Sequence, residues 1–185
     1  TSWILTDGKQ GMESQCLALT EAIQLTPNIK RIVPKLPWSK LPPWLWINPF
    51  SALSGKGDQL NAPWPDILVS TGRQSVALAL AIKRANPETI TIQLQNPTFA
   101  HRNFDLIIAP EHDRIFGKNI ISTTGALHRV TAEKLEIEAK KFSDKFKDLP
   151  RPLIGVLLGG SNKNFKMNSS VINRFSTLLK IALEK

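Results

Sequence analysis

Asp66-Ile67-Leu68-Val69-Ser70-Thr71-Gly72-Arg73-Gln74-Ser75 is the stretch that decides the architecture. A short apolar run ends in a polar, glycine-containing turn and passes at once into a helix expected to reach about Ala85. The same order occurs near both ends of the chain. Trp3-Ile4-Leu5 is followed by Thr6-Asp7-Gly8 and by a helix over about Met12–Leu25, with Met12, Cys16, Leu19 and Ile23 on one face. Leu153 to Leu158 is a continuous apolar run read as a strand, followed by Gly159-Gly160-Ser161-Asn162 and a helix from about Ser169. Between these units lie strand candidates at Ile29–Val33, Thr89–Leu94, Phe104–Ala109 and Ile120–Ser122, and a helix capped by Thr131 that runs through Phe146. Strands alternating with helices predict an α/β fold with a parallel, Rossmann-like sheet and helices on both faces. In open sheets of this kind ligands bind beyond the carboxyl ends of the strands, so the loops there carry the functional reading.

Composition narrows the class. The chain has 185 residues, 42% of them hydrophobic and 21% charged, which is enough to bury a core and argues against disorder. No apolar stretch approaches the roughly 20 residues that cross a bilayer, and no secretory signal pattern opens the chain. The lone Cys16 has no internal disulfide partner, so the cytoplasm is the expected compartment. A net charge of +9 suits anionic partners, but the lysines and arginines are scattered and no nucleic-acid-binding signature is present. Nucleic acid is therefore not expected as a partner.

Pro34 to Pro65 holds seven of the 13 prolines and four of the five tryptophans, which forbids a long helix or a central strand. Trp38, Trp44 and Trp46 stand among lysines there. Such a mixture suits an anionic membrane surface on the inner face of the cytoplasmic membrane, and it equally suits rings folded back over the sheet. Leu149-Pro150-Arg151-Pro152 reads as a linker. It divides a first domain, 1–148, from the first βα unit of a second, 149–185.

Several loops combine position with chemistry. Gly72, Arg73, Gln74 and Ser75 lie where a helix N-terminus offers free N–H groups to an anion or a sugar hydroxyl; the alternative is a plain turn with a solvated arginine. Asp7, between Thr6 and Gly8-Lys9-Gln10-Gly11, is placed to orient a hydroxyl or act as a general base, or else to close its own turn. Glu111, His112 and Asp113 cluster at a strand end, where the imidazole suits acid–base work and surface pairing is the plainer reading. His128 and Arg129 follow the turn at Gly125. Gly159, Gly160, Ser161 and Asn162 suit the cradling of a diphosphate by backbone N–H groups. The three histidines form no recognisable ligand set, and no metal site is expected.

Taken together and in this order, Trp3 to Gly11, Ser70 to Ser75, Ala109 to Arg114, Thr124 to Arg129 and Leu158 to Ser161 resemble the elongated-mitochondria (mitochondrial fission) family, in its bacterial type. Its bacterial members are regarded as candidate GT-B glycosyltransferases. The resemblance implies two Rossmann-like domains facing across a cleft, with a nucleotide sugar as co-substrate, no further cofactor and no metal. It implies that Asp7, Glu111, His112 and His128 supply catalytic groups. Gly8, Gln10, Gly72, Arg73, Gln74, Ser75 and Arg129 would hold the acceptor, and Gly159 to Asn162 the donor phosphates. The acceptor would be a lipid or an envelope glycan, and a non-catalytic membrane scaffold is the alternative. Members are about twice as long as this chain, so the resemblance also implies that the second domain is cut off soon after it begins.

Overall fold

The computed structural model describes residues 1–161 and 165–183 and divides into two compact units, Thr1–Ala132 and Glu133–Lys185. The first unit is built on six strands: β1 (Ser2–Thr6), β2 (Asn28–Arg31), β3 (Ile67–Thr71), β4 (Ile90–Leu94), β5 (Leu106–Pro110) and β6 (Ile120–Thr123). They form one sheet in the order β2-β1-β3-β4-β5-β6, and every neighbouring pair is parallel.

Side-chain alternation along the strands feeds two cores. On one face Ile4, Val69 and Ile92 lie in register across β1, β3 and β4 and pack with Ile108 and Cys16. Helix α1 (Gln10–Ala22) covers this face through Cys16, Thr20 and the partly buried Leu17 and Leu19. It stops one turn earlier than the apolar spacing predicts. Gln24 turns left-handed at φ 58°, and Ile23 is left 46% exposed.

On the other face Trp3, Leu5, Leu68 and Ile107 meet helix α2 (Arg73–Ala85). Val76, Leu78, Ala79 and Ile82 are fully buried on α2, and each large side chain contributes about 2 kcal/mol of burial. The outer side of α2 is covered too: the Pro43–Leu45 stretch lies against it, and Pro43, Trp44 and Trp46 line a small hollow with Ala77, Leu80 and Arg84. That cover is the tryptophan-rich segment itself. It carries the chain from β2 to β3 with two short 3-10 turns (Pro43–Leu45 and Phe50–Ala52) in place of a helix. Trp46 and Ala52 are buried, and Phe50 stacks on Trp64 at 5.4 Å, which in turn meets Trp3 edge-on at 6.2 Å. Proline and tryptophan thus supply the layer that a crossover helix usually supplies.

The second unit contains α3 (Ala132–Phe146) and α4 (Ser169–Leu183). Leu135, Phe142, Phe146 and Leu153 line one apolar hollow, and Val156, Leu158, Met167, Val171, Phe175 and Leu179 line another. The expected strand at Leu153–Leu158 does not form: this run has no ladder partner among the described residues, and Leu157 is fully exposed. A strand is defined by its neighbour. With no second strand beside it, the apolar sequence alone cannot satisfy its backbone N–H and C=O groups as sheet.

Candidate functional site

Because all six strands are parallel, the loops after β1, β3, β4 and β5 share one edge of the sheet. Chain order reverses direction at β1, with β2 on one side and β3 on the other. The crevice between the ends of β1 and β3 is therefore the switch point at which such sheets bind ligands.

Asp7 and Gly72 meet at that point. A side-chain carbon placed on Gly72 would lie 3.9 Å from Asp7 Oδ2 and 3.5 Å from Met12 Cε, so the two loops are in contact range. Gly72 holds φ 85° and ψ 156°, a backbone region open essentially to glycine, and it is the N-cap of α2. Asp7 is only 11% exposed. It accepts the Lys9 N–H at 3.3 Å, closing its own turn, and pairs through Oδ2 with the Lys9 ammonium. Lys9 is thus a member of the site that the sequence reading passed over. Gly8 and Gln10 lie exposed beside it at the start of α1.

Across the crevice, Arg73 opens α2 at the helix N-terminus, with its side chain exposed and unpaired among the described residues. Gln74 is committed elsewhere: its Nε2 donates to the Ser39 carbonyl at 3.2 Å, tying the tryptophan-rich segment to the rim. Ser75 is buried, and its hydroxyl reaches the Thr71 and Gly72 carbonyls at 2.7 Å each, so it shapes the turn and offers nothing to a ligand.

The floor and flanks come from residues that the sequence reading did not single out. Gln95, at φ 68° just after β4, donates to Met12 Sδ at 3.4 Å and to Gln15 Oε1 at 3.3 Å. Arg31, the last residue of β2, forms a two-pronged pair with Glu13 at 2.8 and 2.7 Å, and this carboxylate holds the guanidinium above its ordinary pKa. The available signal for both was position alone: Arg31 ends β2 and Gln95 directly follows β4.

Glu111 and His112 lie exposed on the rim after β5, and His112 Nε2 stands 3.7 Å from Asp113. Asp113 Oδ2 accepts the Asn96 N–H at 3.1 Å, which joins the loops after β4 and β5. Asn96 in turn meets His101 at 3.0 Å. Among the described residues no three His, Cys, Asp or Glu side chains gather as metal ligands.

Two expected members lie elsewhere. Arg129 pairs with Glu21 near the end of α1, eleven residues and about 16 Å of helix below Gln10. The adjacent His128 accepts the Val130 N–H at Nδ1, 3.3 Å away. Leu127 packs against the α1-side core. Gly159, Gly160 and Ser161 belong to the second unit, where they are exposed and follow no strand. Ser161 Oγ accepts the Met167 N–H at 2.9 Å, and Asn162 lies outside the described residues. A separate concavity of about 650 Å³ is lined by His101, Arg102, Phe116 and Lys118 near the start of β6, away from the Asp7–Gly72 contact.

What the rim can do follows from these groups. It offers a helix N-terminus with a guanidinium unpaired among the described residues, a nearly buried carboxylate next to an ammonium, and an exposed imidazole beside a half-buried carboxylate. Such a set can hold an anionic or hydroxyl-rich ligand and accept a proton from it.

Comparison with known proteins gives a family. The family described as "Mitochondrial fission ELM1" matches residues 10–185. The chain is 26% identical to the mitochondrial fission protein ELM1 of Arabidopsis thaliana, over 62% of this chain and 33% of that protein. It is 26% identical to an uncharacterized protein of Rickettsia prowazekii, over 96% of this chain and 59% of that protein. The chain therefore spans between a third and three fifths of these relatives, and the broader bacterial match is consistent with the bacterial type. No solved structure matches it. The family match extends over nearly the whole chain, and the chain belongs to the mitochondrial fission ELM1 family.

Proposed function

We propose that this chain is the acceptor-side half of a GT-B-type glycosyltransferase, which moves a sugar from a nucleotide sugar to a lipid or envelope-glycan acceptor. The observation that carries the reading is the contact between the loops after β1 and β3, which brings Asp7 and the Arg73-bearing start of α2 to one crevice. In the proposed reaction an acceptor oxygen bonds to the anomeric carbon while the bond from that carbon to the diphosphate oxygen breaks. The acceptor proton passes to a rim carboxylate, Asp7 or Glu111, or to His112, and the diphosphate leaves with its charge met by cationic groups. The donor would be held mainly by further chain of the kind its longer relatives possess, with Gly159 to Ser161 facing its phosphates. The protein would work in the cytoplasm, on the inner face of the membrane.

Calorimetric titration of a panel of nucleotide sugars tests this, using a version extended to the length of the relatives beside the 185-residue chain. Saturable binding by the extended version is expected, with turnover lost on Asp7→Asn or Arg73→Ala. Absence of heat with every donor would refute the reading.

A second reading is a non-catalytic scaffold at a membrane, favoured by the exposed Trp44 among lysines. On that reading Arg73→Ala and Glu111→Ala leave function intact, while changes at the exposed Trp44 remove it.

A further inference from the structure

Folding divides the apolar side chains of the tryptophan-rich segment into two sets. Trp46 and Ala52 are buried, and Trp38, Leu41, Phe50 and Leu53 pack partly against the same core. Trp44, Leu45 and Ile47 are left outside, at 56, 51 and 93% exposure, with Leu36 at 66% earlier in the segment. These side chains are held in place. The Pro43–Leu45 turn is closed by Trp46 N–H donation to Pro43, and the Trp44 ring stands edge-on to Phe99 at 5.8 Å. Ser39 is fastened to Gln74 at the rim. Leaving such groups in water gains nothing for folding, and a cluster of them marks a contact surface.

Charge identifies the occupant. Residues 34–57 contain Lys35, Lys40 and Lys56 and no Asp or Glu, in a chain of net charge +9. Arg84 adds a cation beside Trp44. A second copy of the chain would bring like charge to the same face. A tryptophan flanked by large aliphatic residues and by lysines that have no counter-ion among the described residues matches the headgroup–acyl boundary of an anionic bilayer. No helix among the described residues is long and apolar enough to cross a membrane, so the contact is shallow.

The geometry points to Trp44, Leu45 and Ile47, with Lys35 and Lys40, as a surface that docks on anionic lipid. Trp46, an anchor in the sequence reading, is only 5% exposed and serves the core, as does much of Trp38. The Ser39–Gln74 hydrogen bond joins this surface to the start of α2, so a docked bilayer would lie beside the crevice described above. The inference does not rest on the transferase reading, since lipid binding is read without any sugar donor.

The test is sedimentation of the 185-residue chain with phosphatidylcholine vesicles, with and without about one third phosphatidylglycerol. Binding to the anionic vesicles alone is expected, weakening as salt rises. Trp44→Ala with Ile47→Ser should lower it at least tenfold, and each of Lys35→Glu and Lys40→Glu by about fivefold or more. Brominated lipid should quench tryptophan emission in the parent chain. Trp44→Phe should lose most of that quenching while it still sediments with vesicles. All these positions are exposed, and an unchanged thermal melt certifies the fold of each variant. Failure to bind anionic vesicles at low salt, binding indifferent to Trp44 and Ile47, or a dimer in solution that Ile47→Ser dissolves would each overturn the inference.

Discussion

Replacing Gly72 and Gly11 by alanine, one at a time, asks whether the turn between β3 and α2 is held by backbone conformation. The chemical change is identical at the two positions, yet opposite outcomes follow from the structure. At Gly72 the added methyl would find neighbours at 3.5 and 3.9 Å, ordinary van der Waals contact, so there is no clash to relieve. Its cost lies in φ 85° with ψ 156°, a region that L-residues occupy at a cost of about 1–3 kcal/mol. Gly11 lies in the first turn of α1 with open space around it and no left-handed backbone angle. There alanine should stabilise by about 0.4–1 kcal/mol, by limiting the unfolded chain and favouring helix. All five tryptophans fall within Thr1–Ala132, so urea unfolding followed by tryptophan emission reports on that unit alone. The two midpoints should move in opposite directions from the parent. A Gly72→Ala protein as stable as the parent, or equal losses at both sites, would show that the turn relaxes freely and does not fix the crevice.

Cys16 provides a second check. Burial, with the Glu13 carboxylate adding to it, pushes this thiol up to about 12. The folded thiol should therefore resist a disulfide reagent at pH 8 and react only at the rate of unfolding. Its raised pKa contributes stability that is complete below the unfolded value of about 8.5 and is lost as pH climbs from there toward 12. A Cys16→Ala protein should lack that part of the alkaline decline. Asp105 behaves in the opposite sense. Burial acts to raise its pKa, but the Thr91 N–H and hydroxyl and the Lys83 ammonium outweigh it and hold the carboxyl below its usual range. The resulting stability is present above about pH 4 and is lost as pH falls through the lowered folded value. Asp105→Asn should flatten the acid limb of a stability–pH curve measured by urea unfolding; an unchanged limb would refute the role.

Most of the first unit was legible because its strands are short, apolar and separated by polar, glycine-bearing turns. Ile67–Thr71 with Arg73–Ala85 was the clearest case, and every strand of the sheet falls within a few residues of its apolar run. The failures have physical causes. Leu153–Leu158 has the composition of a buried strand, yet strand formation depends on a neighbour that composition does not encode. Ser75 was read as a hydrogen-bonding part of a ligand loop, but its hydroxyl turned inward onto carbonyl oxygens. Arg129 was grouped with the rim by motif order, whereas Glu21 at the far end of α1 captured it.

The sequence by itself determined that the strands at Ser2–Thr6 and Ile67–Thr71 lead into helices, that the sheet is parallel and covered on both faces, and which polar loops follow strands. These are local matters, settled by periodicity of two or 3.6 residues and by glycine and proline within a few positions. Only the tertiary structure decided that Asp7 meets Gly72, that Lys9, Arg31 and Gln95 border the same crevice, and that Trp46 is core while Trp44 is surface. Strand order and the path of the Pro34–Pro65 crossover set those contacts, and both are decided by packing between residues far apart in the chain.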